Sequence, residues 1–144
     1  MKHLIYLSAV IALAVSFTGC KKETTPMVAL NEKVDVTISK PETSSSSFRN
    51  GAYGSVTGTA RVYETNGKYQ LALENFTSSN GPDLKVYISK EQQPVNFVNL
   101  GSLKSTAGNQ LYDIPVSINV KEYTYALIYC QQYSHLFGYT QFTY

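Results

Sequence analysis

From Val56 onward, apolar side chains recur at every second position in short runs cut by turn residues, a pattern that restricts the chain to β-structure. VTGTARVYE (Val56–Glu64) alternates and stops at Thr65-Asn66-Gly67; KYQLALENF (Lys68–Phe76) resumes and stops at TSSNGPD. Successive side chains of a strand point to opposite faces, and Asn-Gly between two such runs signals a two-residue hairpin. LKVYIS (Leu84–Ser89) sets Leu84, Val86 and Ile88 on one face. After a polar stretch with Pro94 come FVNLGSL, a turn at Thr106–Asn109, and QLYDIPVSINV, alternating through Ile114, Val116, Ile118 and Val120. YTYALIYC and HLFGYTQFTY close the series across QQYS. With no apolar stripe of helical period beyond the N-terminus, this spacing predicts an all-β fold. The expected form is an antiparallel β-sandwich or barrel of seven to eight strands.

Upstream the pattern weakens. VDVTIS (Val34–Ser39) alternates and reads either as a first strand at 34–39, the expectation adopted, or as an extension of the tether, whereas KPETSSSSFRNG reads as a linker or surface loop. The expected organisation is a signal segment over 1–19, a tether over 20–47 and the β domain over 48–144.

The first residues have their own logic. Lys2 and His3 precede an apolar stretch from Leu4 to Phe17, the layout of a secretory signal and too short to span a bilayer comfortably. SFTGC resembles a lipobox, the bacterial motif whose final cysteine is acylated. Gly19 and Cys20 fit it, and Phe17 and Thr18 depart from the commoner choices. The resemblance implies a lipid on Cys20, which anchors the chain to a bacterial membrane facing periplasm or exterior. An ordinary cleaved signal is the competing reading. Without Lys2 the cationic and anionic side chains almost balance. No basic block or arginine stripe is present, which argues against a nucleic-acid partner. Twelve tyrosines and six phenylalanines, with no tryptophan, suit a sheet protein rich in aromatic packing.

Counting narrows the chemistry. Beyond the signal segment there is one histidine, His135, and, with Cys20 assigned to lipid, one cysteine, Cys130. That supply does not make a zinc site, so no metal site is assigned. No GxSxG, Walker loop or CxxC accompanies it. Scattered carboxylates suggest no glycosidase pair, and an independent hydrolytic or transferase activity is not expected. Two local features remain. Gly81-Pro82-Asp83 launches the Leu84 run; it reads either as backbone geometry, with Asp83 capping main-chain N–H groups, or as a strand-end ligand site at Asp83. Cys130 ends an apolar run whose two faces are Ala126, Ile128, Cys130 and Tyr125, Leu127, Tyr129. It reads either as a packed core thiol or as a strand-end redox group, with His135 brought near by a hairpin across QQYS.

GSVTGTARVYE, YQLALENFTSSNGPDLKVYIS, NLGSLKSTAGNQLYDIP and YALIYCQQYSHLFG together resemble the DM-thirteen domain, over roughly residues 48–143. This is a small all-β module of bacterial lipoproteins and of animal surface proteins, where it lies beside DOMON domains. The resemblance rests on Asn75-Phe76 before Gly81-Pro82-Asp83. It rests also on Leu100-Gly101, Leu103-Lys104, Gly108, Gln110, Tyr112 and Ile114-Pro115, and on the cysteine-ended strand. It implies an electron-transfer role through Cys130, as a free thiol or as a ligand to a group such as haem, with Asp83 as a supporting residue. It also implies a redox or protein partner in the envelope. Tyr129 stands where the family often has Trp, and His135 is not part of the usual pattern. The alternative is a β-sandwich module that binds a ligand or protein without chemistry. Replacing Cys20 by Ser is expected to move the protein from the membrane to the soluble fraction, read by fractionation and by loss of acyl mass on the N-terminal peptide.

Overall fold

A computed structural model describes residues 24–144; the signal segment and the lipidation site assigned to Cys20 lie outside the described residues. Seven substantial strands carry the fold: β5 (Val56–Thr65), β6 (Lys68–Ser78), β7 (Leu84–Ser89), β8 (Phe97–Ser102), β9 (Ala107–Ile114), β10 (Tyr125–Cys130) and β11 (His135–Gln141). Four two-residue strands precede them: β1 (Leu30–Asn31), β2 (Lys40–Pro41), β3 (Ser46–Ser47) and β4 (Arg49–Asn50). They form a sandwich of two sheets. One runs β1-β9-β6-β5-β2 with β3 also on β5; the other runs β4-β11-β10-β7-β8. All the substantial strands pair antiparallel; β1 on β9 is parallel.

The period-two pattern explains the packing. Ala60, Val62, Leu71, Leu73, Phe76, Tyr112 and Ile114 from the first sheet meet Leu84, Val86, Ile88, Ala126, Ile128 and Cys130 from the second. The parity expected for β7 and β10 is the one observed. β10 lies between β7 and β11, so its other face is covered too: Leu127 packs with Tyr87 and Leu136 under Tyr125, Tyr129 and Tyr139. The predicted Asn-Gly hairpin joins β5 to β6, with Asn66 at φ 52° and Gly67 at φ 79°. Two consecutive positive φ angles match the right-handed twist of the strands that leave the turn. A second left-handed residue, Asn75 at φ 47°, bulges β6 and lets Phe76 drop into the core, edge-on to Phe48 at 5.6 Å.

Three expectations are corrected. Residues 34–39 form no strand. Asp35 accepts hydrogen bonds from the N–H and hydroxyl of Thr37, and its carbonyl accepts from the N–H groups of Ile38 and Ser39, so the segment closes into a turn. Its alternating Val36 and Ile38 face solvent, and short polar side chains that bond their own backbone compete with a ladder. The run after β9 also stops at Ile114: Pro115 has no N–H to donate, and Val116 is exposed. The serine-rich stretch read as a loop instead contributes β3 and β4 and buries Phe48 and Thr43. Ile128→Ala should cost about 2–5 kcal/mol, as for other buried aliphatic truncations. Ile38→Ala should stay within about 0.5 kcal/mol. Denaturant unfolding of both variants checks the pair.

Candidate functional site

The three residues singled out in the sequence converge on one end of the five-stranded sheet. Cys130 closes β10 opposite Leu84, the first residue of β7, and opposite His135, the first residue of β11. Asp83 immediately precedes β7, and its carbonyl accepts the N–H of Gln131 at 3.0 Å, fastening the turn that follows Cys130. The hairpin across QQYS therefore brings His135 beside Cys130 in register, as expected.

The side chains do less together than their backbones. Cys130 is 1% exposed and packs in the core between the sheets, and among the described residues its sulfur makes no hydrogen bond. The His135 ring lies flat on Tyr53, with centroids 3.6 Å apart and planes 1° apart, and Tyr133 tilts against it at 6.0 Å. The Asp83 carboxylate pairs with Lys85 Nζ at 2.8 Å. The cap expected of Asp83 is made instead by Asn80, whose Oδ1 accepts the N–H of Gly81 at 2.7 Å. Gly81 does not adopt positive φ; a Cβ there would approach the side chains of Leu84 and Phe137 at 3.0 Å, so closeness favours the glycine. No group of three metal-ligating side chains occurs among the described residues.

The residues fit haem poorly. The thiol is enclosed by packed side chains, and the neighbouring imidazole already has a face on Tyr53. A planar macrocycle held by thiolate needs an apolar cleft at the sulfur.

The loop motif next to this end acts as a fastening. Gln110 is fully buried; its Oε1 accepts from the Tyr112 hydroxyl at 2.7 Å and its Nε2 donates to Ser105 O at 2.8 Å. The Tyr112 hydroxyl accepts the Lys104 N–H at 2.9 Å, and burial pushes its pKa well above that of a free tyrosine. This network holds residues 103–106, to which an N-terminal strap is laced. Thr106 N–H donates to Pro26 O, Ser105 Oγ to Val28 O, Thr25 N–H to Gly81 O, and Asn80 Nδ2 to Thr25 O. At Gly108, φ is +98° and a Cβ would lie 2.0 Å from Leu30 O, so the strap crosses where only glycine fits. Sequence reasoning missed this strap and the Tyr53 stack. Their residues show no periodicity, and the signal available was the glycine pair around Tyr53 and the polar spacing of Gln110 and Tyr112.

The family model described as "Electron transfer DM13" matches residues 47–142. The chain belongs to this DM13 family. No curated protein matches it, and no solved structure does. The family description bears out the resemblance read from the sequence and gives the domain an electron-transfer-related role; the strap over residues 24–32 lies outside the matched DM13 segment.

Glu32 bolts the outer end of that strap. Its Oε2 accepts from Lys104 Nζ and from the Leu111 N–H, both at 2.8 Å, and the lysine partner first and the N–H second hold its pKa below the ordinary glutamate range. A carboxyl with a lowered folded pKa stabilises above its unfolded pKa, about 4.3, and that contribution is lost as pH falls through the folded value. Protection of the Leu30–Glu32 amides against hydrogen exchange, taken relative to the intrinsic rate at each pH, should therefore fall below about pH 4.3, and in Glu32→Gln it should already be low at pH 7 with no further acid step.

Proposed function

We propose that this DM13 domain is a lipid-anchored envelope protein that takes part in electron transfer through the Cys130 thiol, exposed by local opening of the turn over residues 131–134. The observation that carries the reading is the position of Cys130 as the last residue of β10, directly under that turn. The turn is lightly held: Gln131 N–H to Asp83 O at 3.0 Å, a long Ser134 N–H to Gln131 O contact at 3.4 Å, and Ser134 itself at φ 55°. Segments with few buried contacts and exposed backbone bonds open at far lower cost than the whole fold. Asp83 acts here as a positioning residue through its carbonyl, and His135 as part of the lid through its stack on Tyr53.

A thiol that exchanges electrons with a partner does so by attack on a disulfide. The Cys130 thiolate bonds one sulfur of the partner and the other leaves as a thiolate, so a mixed disulfide forms with one proton released from Cys130. The partner class is thus an envelope protein or small molecule carrying a disulfide. Rapid alkylation of intact membranes followed by non-reducing electrophoresis should reveal a reducible adduct in the wild type and none in Cys130→Ser. A thiol that stays quantitatively reduced under disulfide challenge, with no adduct, overturns the reading.

The burial of Cys130 favours a second reading, a DM13 module that binds its partner without thiol chemistry. On that reading Cys130→Ala, once shown to be folded, retains every partner captured by the wild type.

A further inference from the structure

The strap and the lipid together fix which end of the sandwich meets the membrane. Thr25 is buried against the end that carries Cys130, held by its own N–H on Gly81 O and by Asn80 Nδ2 on its carbonyl. Cys20 precedes it by five residues. Even fully extended, five residues reach at most ~18 Å. The long axis of the sandwich is about twice that: the eleven residues of β6 span ~35 Å at strand rise. If the opposite end faced the bilayer, Thr25 would stand farther from the lipid than the chain reaches.

Surface chemistry selects among the postures that remain. The loops at the Cys130 end (24–28, 51–55, 79–83, 103–106 and 131–135) contain one carboxylate, Asp83, already paired with Lys85. They expose Met27, Val28, Tyr53 and Tyr133. The other end is densely charged, with Glu64, Glu91, Asp113 and Glu122 set among Lys40, Lys68, Lys90 and Lys121, Lys90 being paired with Glu122, and it exposes Val95, Phe97 and Val116 among those charges. Tyrosines settle at the headgroup level of a bilayer, whereas an end dense in charged side chains loses hydration when pressed against it. We infer that the Cys130 end is a membrane-apposed surface, with Tyr53, Tyr133, Met27 and Val28 seated at the headgroups of the bilayer that holds the Cys20 lipid. The inference rests on the lipid anchor of the proposed function. It further implies that whatever reaches Cys130 through the 131–134 turn approaches along the membrane.

The test uses the full lipidated protein in vesicles of phosphatidylethanolamine and phosphatidylglycerol. Tyr133→Cys and, at the opposite end, Val95→Cys are labelled with one fluorophore, and the wild type treated alongside reports any labelling of Cys130. Lipids with a nitroxide on the headgroup should remove most of the emission from the Tyr133→Cys label and little from the Val95→Cys label. A twenty-residue Gly-Ser insertion after Lys22 should narrow that difference while leaving the acyl mass unchanged. Equal quenching at both ends without the insertion, or stronger quenching at Val95→Cys, overturns the membrane-apposed end while the anchor stands. An N-terminal peptide with no acyl mass overturns the anchor and this inference together.

Discussion

Everything at the candidate site depends on β10 being covered on both faces. A strand held between β7 and β11 and buried above and below has no freedom to slip, because a one-residue shift would turn Leu127 and Ile128 onto each other's faces. That fixed register decides where Cys130 falls: on the inner face, at the last rung, opposite Leu84 and His135. It also explains why a thiol is tolerated there. A free cysteine behaves as a small hydrophobe, and the site asks for nothing larger.

Around this rung the structure is fastened by polar groups rather than by core. Asp83 O on Gln131, the Tyr53–His135 stack, and the Gln110–Tyr112–Ser105 network each hold a loop at the same end. Buried and hydrogen-bonded at both ends of its amide, the Gln110 network is costly to break, since each lost partner leaves a desolvated group behind. The turn over 131–134 has no such backing. The same end of the sandwich thus combines a rigid floor and a weakly held cover, the arrangement through which an enclosed group becomes reachable without unfolding.

The sandwich was legible in the sequence wherever burial follows a period of two. Leu84, Val86 and Ile88, the two faces of β10, and the Asn66-Gly67 hairpin were all set by residue type alone. The 34–39 reading failed because alternation does not say whether a partner strand exists, and Asp35 offered the backbone a local alternative. Asp83, His135 and Cys130 were found as residues, and their clustering at one end follows from the hairpin. Their side-chain partners were not legible: Lys85, Tyr53 and the packed core are contacts set by loop geometry that no spacing encodes. The strap was hidden for the same reason, being a chain of backbone bonds between Thr25, Pro26, Gly81 and Thr106.

Cys130, although enclosed, is reached by opening one turn on the reading proposed above. The rate at which native protein reacts with a thiol reagent, followed across sub-denaturing concentrations of urea, tests it most directly, because the denaturant slope reports how much surface the opening exposes. If one turn opens, the rate changes little with urea well below the unfolding transition. A rate that rises with the full slope of global unfolding, so that Cys130 reacts only when the sandwich comes apart, would contradict it.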